Sequence, residues 1–266
     1  SEIEKKEGVN IMSAAHGFFS LGGVLGATLG TIFMPFFQLP VSHMIAISVL
    51  IIGMNIGFVK QYFLISEEPS SVKKKSYTLK KIKPLISIAF IGFVIMGSEG
   101  AIEHWSSLYL IEVVKITQEY LAGIGFIFFS LMMTIGRFLG DGISAKIGSI
   151  KIILLGCTFA ILGYVCILIG HPFSAVLGFG ILGLGLSVII PEVFRIAGTT
   201  KGIKASVGIS IVSGFGFVGF LLGPVVLGYL SNKYHLKLSF FVLLSLTFLA
   251  LLIASVLYRK VNKRSF

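Results

Sequence analysis

The sequence predicts an all-α polytopic membrane protein with about eight transmembrane helices, and three observations support this fold class. The 266 residues are 55% hydrophobic and only 12% charged, which leaves too little polar surface to cover a water-soluble domain of this length. The mean hydropathy is +0.98. Apolar runs of about 20 residues, long enough to cross about 30 Å of hydrocarbon as a helix, recur along the whole chain.

Each of the eight apolar runs is expected to be a helix, because a bilayer offers no water to free backbone groups. Their many glycines are expected to face neighbouring helices. In chain order, the predicted spans are Ile11 to Phe33, Val41 to Ile65, Leu85 to Ile111, Tyr120 to Leu139, Ile150 to Gly170, Phe173 to Phe194, Ala205 to Leu230 and Leu238 to Leu257.

The basic residues predict the orientation, since short cytoplasmic loops collect Lys and Arg. With a cytoplasmic N-terminus, only Lys115, Lys233 and Lys237 of the 22 basic residues fall outside. Both termini are therefore expected to be cytoplasmic. This topology and the anionic inner leaflet account for the net charge of +11, so the lipid bilayer is the expected partner and nucleic acid is not.

An internal repeat relates the first two spans to the last two. "GFFSLGGVLG" and "GFGFVGFLLG" share three glycines at one constant offset, which pairs Gly17, Gly22 and Gly26 with Gly214, Gly219 and Gly223. Such repeats are typical of transporters whose halves rock around a central site. The repeat divides the chain into the last two helices of a first half (1–65), a basic cytoplasmic linker (66–84) and a complete six-helix second half (85–266). About four helices of the first half are then expected outside this sequence, and a separate chain could supply them.

The stretch "GRFLGDGISAKIG", residues 136 to 148, resembles the loop signature G-R-x-x-G-D-[RK]-x-G-[RK]-[RK] of the major facilitator superfamily. Gly136, Arg137, Gly140 and Asp141 match it, and Lys146 is the remaining base of the loop. With "GFLLGPVVLG" and "EGAIEHWSSLYL", the chain is most similar to a bacterial branch related to fucose permease. The resemblance implies helices 5–12 of a twelve-helix fold of secondary transporters, in a bacterial inner membrane.

Two roles are open for the charges of this motif. In a cytoplasmic turn, Arg137 would end a helix where it can reach lipid headgroups or pair with Asp141 one turn on. The resemblance implies that Asp141 contacts the opposite half, at the N-terminus of the helix that starts near Ile11, where the helix dipole and free amides favour a carboxylate. Such a contact would hold an inner gate shut. The alternative is a local ion pair in a basic turn.

Charged groups inside a membrane are costly, which makes them candidates for function. Glu99 and Glu103 lie four residues apart on one predicted helical face, where protonating one would relieve repulsion and desolvation. They are the candidates for proton coupling or substrate contact, unless they merely reach outer water. The similar branch has an acidic residue directly before the Trp, where this chain has His104. Trp105 and Tyr109 could stack on a flat ligand or anchor helices.

Four further residues are weaker candidates. His16 could relay protons or pack within the membrane, and Asn55 could hydrogen-bond a substrate or join helices. Glu192 lies three residues before Arg195 and is expected to form an ion pair with it at the inner surface.

The sequence lacks H-E-x-x-H, G-x-S-x-G, Walker residues and any Cys/His cluster with metal spacing, so no enzyme activity, metal or cofactor is expected. The expected function is secondary active transport of a small organic solute, sugar-like or another metabolite, by alternating access with protons. An efflux carrier of the same fold and a truncated remnant that inserts without transporting remain as alternatives.

Overall fold

The computed structural model describes residues 11–33, 40–63, 79–117 and 122–262, and all regular structure within these ranges is helical. This confirms the all-α fold class. The described residues form nine helices, α1 (Met12–Phe33), α2 (Pro40–Phe63), α3 (Leu79–Glu112), α4 (Ile124–Ile147), α5 (Ser149–Ile169), α6 (Pro172–Ser187), α7 (Ile189–Thr199), α8 (Ala205–Lys233) and α9 (Leu236–Asn262).

Seven segments of the described chain are long and apolar enough to cross a bilayer, and they correspond to seven of the eight predicted spans. They are Val41–Val59, Leu85–Glu112, Ile124–Ile147, Ser149–Ile169, Pro172–Thr199, Ala205–Lys233 and Leu236–Val261. The remaining predicted span contains α1, a helix of 22 residues. The chain is therefore a multi-pass membrane protein.

Two predicted boundaries differ from the structure. Helix α3 already begins at Leu79, so the last residues of the predicted linker, 79–84, are helical, while 64–78 lie outside the described residues. The predicted span Phe173 to Phe194 is interrupted at Val188, between α6 and α7. Pro191 explains the interruption, because it has no N–H to donate to the carbonyl four residues earlier.

The described residues divide into two units, one of residues 11–24 with 79–117 and 122–262, and the other of residues 25–33 with 40–63. In the first unit, α3 packs mainly on α8, α6 packs on α4 and α5, and α9 lies against α5 and α3. Its core contains large, fully buried side chains such as Tyr164 and Phe179. The second unit contains the end of α1 and all of α2, whose side chains between Val41 and Val59 are largely exposed.

Glycines set the distance between α3 and α8. Gly219 and Gly223 of α8 lie directly against the backbone of Phe93 and Gly97 in α3, and a Cβ added to Gly97 would lie 3.1 Å from the carbonyl oxygen of Gly219. Small residues at a helix interface let two backbones approach closely in a membrane. The two helices therefore form a tightly packed interface within the second half.

Candidate functional site

The motif that resembles a loop signature is mostly helical. Helix α4 continues through it to Ile147 and ends at Gly148, whose φ of 87° suits glycine. Arg137 therefore lies about 15 Å along the helix axis from the end of α4. The expectation that Arg137 ends a helix and reaches headgroups is wrong, because α4 runs almost three turns beyond it. Of the predicted span Tyr120 to Leu139, residues 118–121 lie outside the described residues.

Arg137 is buried and pairs with Glu99 of α3 rather than with Asp141. Its side chain is 4% exposed, and its Nη2 lies 3.3 Å from Glu99 Oε2 and 3.4 Å from Oε1. The Nη1 group donates to the carbonyl oxygen of His16 at 3.3 Å and to the hydroxyl of Ser20. One guanidinium thus joins α4 to α3 and to α1. Because both of its Nη groups donate in these contacts, Arg137 does not form the predicted local ion pair with Asp141.

Asp141 lies at the N-terminus of α1. Its Oδ1 accepts the backbone N–H of Ser13 at 3.2 Å, and its Oδ2 accepts that of Ala14 at 2.9 Å. These amides belong to the first turn of a helix, which has no intrahelical acceptors for them and whose dipole favours an anion. In return, the hydroxyl of Ser13 donates to the carbonyl of Arg137 at 2.7 Å.

Two glycines of the motif, Gly136 and Gly140, make room for these contacts. A Cβ on Gly140 would lie 2.6 Å from the Oγ of Ser13, and one on Gly136 would lie 2.9 Å from the Cβ of Ser187 in α6. Real Cβ atoms essentially never approach other atoms that closely. Side chains at these two positions would therefore push α4 away from α1 and from α6.

Arg195 of α7 links the motif to a second acid. It forms the ion pair with Glu192 that the spacing of three predicts, and its Nη2 also lies 2.8 Å from Asp141 Oδ1. Its Nη1 donates to the hydroxyl of Ser144 at 3.0 Å. From the sequence, Glu192 and Arg195 are expected to form an inner charge network separate from the motif. Nothing in the linear spacing could reveal the bridge to Asp141, because that bridge depends on how α7 packs on α4.

A cavity of about 410 Å³ adjoins the Arg137–Glu99 pair. Its charged lining residues are Glu99, Glu103 and Arg137. Aromatic, small and polar residues form the rest of the wall, namely Phe18, Phe19, Ser20, Gly22, Gly23, Phe126, Phe129, Ser130, Met133 and Phe220. A concave, mostly apolar site with a few convergent polar groups is typical of small-molecule binding.

The aromatic candidates on α3 pack between helices instead of lining this cavity. Trp105 donates from Nε1 to the carbonyl of Pro224 in α8 at 3.1 Å, and Tyr109 is fully buried. The Nδ1 of His104 lies 2.8 Å from the carbonyl of Gly100 in its own helix. In this structure Trp105 and Tyr109 therefore pack between helices.

The remaining candidates are also placed outside the cavity lining. The ring of His16 is half-buried with its centroid 5.7 Å from that of Phe194. Asn55 lies in the second unit and donates to the carbonyl of Ile51 at 2.8 Å. Lys146 is exposed in the last turn of α4, where the helix dipole favours a cation. Across the described residues, no group of three or more His, Cys, Asp or Glu side chains could hold a metal ion.

A family model described as the Major Facilitator Superfamily matches residues 4–203. The chain belongs to the Major Facilitator Superfamily. An uncharacterised MFS-type transporter of Yersinia pestis is 29% identical over 239 residues, which cover 90% of this chain and 61% of that protein. The membrane protein MosC of Rhizobium meliloti is 34% identical over 145 residues, covering 54% of this chain and 35% of MosC. The chain thus spans about three fifths of the Yersinia relative.

Solved structures show the same fold. The chain is similar to FucP, a Major Facilitator Superfamily transporter crystallised in the outward conformation, with a TM-score of 0.73 and 15% identity. The similarity covers 92% of this chain and 67% of FucP. The family and fold are those of membrane transporters and not of enzymes.

Proposed function

We propose that this chain forms the larger part of a secondary transporter that moves a small organic solute, sugar-like or another metabolite, together with protons by alternating access. The observation that carries the proposal is the buried Arg137–Glu99 pair beside the cavity. One turn further along α4, Asp141 holds the N-terminus of α1. The cavity would receive the solute, and the two ionic contacts would control which side it opens to.

Glu99 is the proposed proton carrier. A charged pair inside a membrane is tolerated because each charge satisfies the other. When Glu99 takes up a proton, Arg137 loses its counter-ion in α3. The same guanidinium donates to His16 and Ser20 of α1, so protonation would reorganise the contact between α1 and α4. Proton uptake is thereby coupled to movement of the first half.

The Asp141 contact is the proposed inner gate. By the internal repeat, α1 belongs to the first half and α4 to the second, so the contact joins the two halves. Arg195 supports the carboxylate from α7. The similar FucP structure is in the outward conformation, which supports a closed inner end in this arrangement. The excess of basic residues in the alternating loops supports a cytoplasmic location for that end and for both termini in a bacterial inner membrane.

The remaining helices of the first half are the proposed partners of α1. The repeat equates Gly22 with Gly219, which is packed against α3. A Cβ on Gly22, however, would meet no described atom within 4 Å. Gly22 also lines the cavity, so we expect a counterpart of α3 to close the cavity at this face, supplied either upstream in the same polypeptide or by a separate chain.

The test uses membrane vesicles that contain the protein in its natural length and a pH-sensitive dye. Sugars and small metabolites are screened for solute-driven proton movement and for counterflow. We expect at least one solute to carry protons with it. Glu99→Gln should keep counterflow and lose accumulation against a gradient, because exchange needs no net proton transfer. Glu112→Gln, at an exposed position at the end of the same helix, is the matched control and should behave as wild type.

Three results would contradict parts of this proposal. Unchanged pH dependence in Glu99→Gln would exclude Glu99 as the proton carrier. Proton movement opposite to solute movement would favour an efflux carrier of the same fold. Insertion into the membrane without counterflow of any solute would favour a remnant that does not transport.

A further inference from the structure

A second and larger cavity, of about 770 Å³, lies between α3, α5, α7 and α9. It shares no lining residue with the cavity beside the Arg137–Glu99 pair. Its wall is formed by Lys83, Ser87, Ile88, Ile91, Ile150, Ile153, Val193, Ile196, Thr200, Lys201, Ala254, Leu257, Lys260 and Val261. We refer to it as the basic groove.

The charged part of the basic groove is entirely positive. Lys83, Lys201 and Lys260 are exposed and line it, and the lining contains no carboxylate. None of the three forms an ion pair with a carboxylate in the described part of the chain. Lys83 lies near the start of α3, Lys201 just after α7, and Lys260 near the end of α9. The start of α5 also lines the groove, so four helix ends meet at one end of the bundle. Three of them carry the lysines, which form the positive rim of the groove.

The deeper part of the groove is apolar. The aliphatic side chains of Ile150, Ile196 and Leu257 line it and are partly exposed, whereas Ile91, Ile153, Val193 and Ala254 are already covered by their neighbours. The polar lining residues besides the lysines are two hydroxyl groups, of Ser87 and Thr200. A purely aqueous filling would leave these aliphatic walls hydrated, which is unfavourable. The occupant that fits both parts therefore has an anionic head and an aliphatic tail.

We propose that the basic groove binds one anionic phospholipid, with the phosphate among the three lysines and an acyl chain along the isoleucines. Charge complementarity decides the occupant. A zwitterionic lipid has no net charge for the rim, and a free phosphate would leave the apolar wall uncovered. Basic pockets between transmembrane helices bind anionic headgroups in this way, and each lysine near an anionic lipid is worth about fivefold in affinity.

The experiment is native mass spectrometry of the purified protein, titrated with dioleoyl phosphatidylglycerol or dioleoyl phosphatidylcholine. We expect one phosphatidylglycerol to bind more tightly than phosphatidylcholine. Substituting Lys83, Lys201 and Lys260 together by Gln should weaken phosphatidylglycerol binding by about a hundredfold. Lys146→Gln with Lys151→Gln is the matched control. Both lysines are exposed where α4 ends and α5 begins, but neither lines the groove.

A second variant tests the apolar part without altering charge. Ile196→Trp should fill the groove and reduce binding of phosphatidylglycerol, while inorganic phosphate should not displace the lipid from the wild type. Equal binding of the two lipids, equal loss in the control pair, or displacement by inorganic phosphate would each overturn the proposal. Thermal unfolding of every variant without added lipid separates lost binding from lost folding.

Discussion

Helices α1 and α8 carry the same glycine pattern, but they contact their neighbours in opposite ways. α8 meets α3 backbone to backbone, with Gly219 and Gly223 against carbonyl groups of α3. α1 meets α4 through side chains: the amides of Ser13 and Ala14 donate to the carboxylate of Asp141, and the ring of Phe18 makes an edge contact with that of Phe138. Two related helices are therefore held by backbone-to-backbone packing in one case and by a carboxylate with a ring contact in the other.

This difference indicates that the interface between α3 and α8 stays closed and that the interface between α1 and α4 can open. Close packing depends on many short-range contacts, which lose about a quarter to a half of their attraction at a gap of about 0.5–1 Å. Hydrogen bonds to a carboxylate can be exchanged for bonds to water at modest net cost. We infer that α3 and α8 move as one body, and that the joint between α1 and α4 opens during transport.

Arg137→Gln should have the largest effect, because Arg137 serves both α3 and α1. The substitution leaves Glu99 buried without a counter-ion, which costs about 3–5 kcal/mol of unfolding free energy. The loss should be greatest at high pH and smaller at low pH, where Glu99 can be neutralised by a proton. Thermal unfolding in detergent between pH 5 and pH 9 measures it. The double variant Arg137→Gln with Glu99→Gln should recover most of the stability, and an equal loss in both variants would contradict the ion pair.

Gly219→Ala tests the packed interface between α3 and α8. The added Cβ would collide with the backbone of Phe93, and overpacking of this kind costs about 1–3 kcal/mol. Gly214→Ala in the same helix has open space and should be neutral or gain up to about 1 kcal/mol from helix propensity. Size-exclusion chromatography after heating gives the midpoint of each variant. Equal midpoints for the two variants would contradict close packing of α8 on α3.

Gly22→Ala completes the comparison, since Gly22 is the repeat partner of Gly219. In this chain alone the added methyl group meets open space, so the effect should be neutral or a gain of up to about 1 kcal/mol. When the other helices of the first half are present, the same substitution should become destabilising like Gly219→Ala. A neutral effect with those helices present would mean that the two glycine faces are not equivalent in the way the repeat predicts.

The spans and fold class could be predicted because they depend on local hydrophobicity alone. The helix boundary near Arg137 could not be predicted. A charged residue after an apolar run usually marks the end of a membrane span, unless a counter-ion on another helix allows the charge to be buried. Glu99 lies 38 positions earlier in sequence, on another helix. The break at Val188 was not predicted, because the apolar run from Phe173 to Phe194 continues through it and Pro191 affects the carbonyl four residues earlier.

The site was only partly accessible from sequence. Spacing was sufficient for the Glu192–Arg195 pair, because residues three apart share a helical face. The contact of Asp141 with α1 came from the family resemblance, since no local pattern links positions so far apart. The bridge from Arg195 to Asp141 and the meeting of Lys83, Lys201 and Lys260 depend on tertiary packing, which brings separate helix ends together.

The most direct test of the opening joint is the reactivity of a cysteine at Ala14, in a background where Cys157 and Cys166 are replaced by serine. Inverted membrane vesicles are treated with a membrane-impermeant maleimide, so that only the inner end is labelled. Asp141→Asn should accelerate labelling at least about tenfold, because hydrogen bonds to a charged group contribute about 1.5–3 kcal/mol. Lys146→Gln, at the same end but outside the ionic contacts, should leave the rate unchanged. Equal labelling rates in Asp141→Asn and wild type would contradict the proposal that Asp141 closes the inner end.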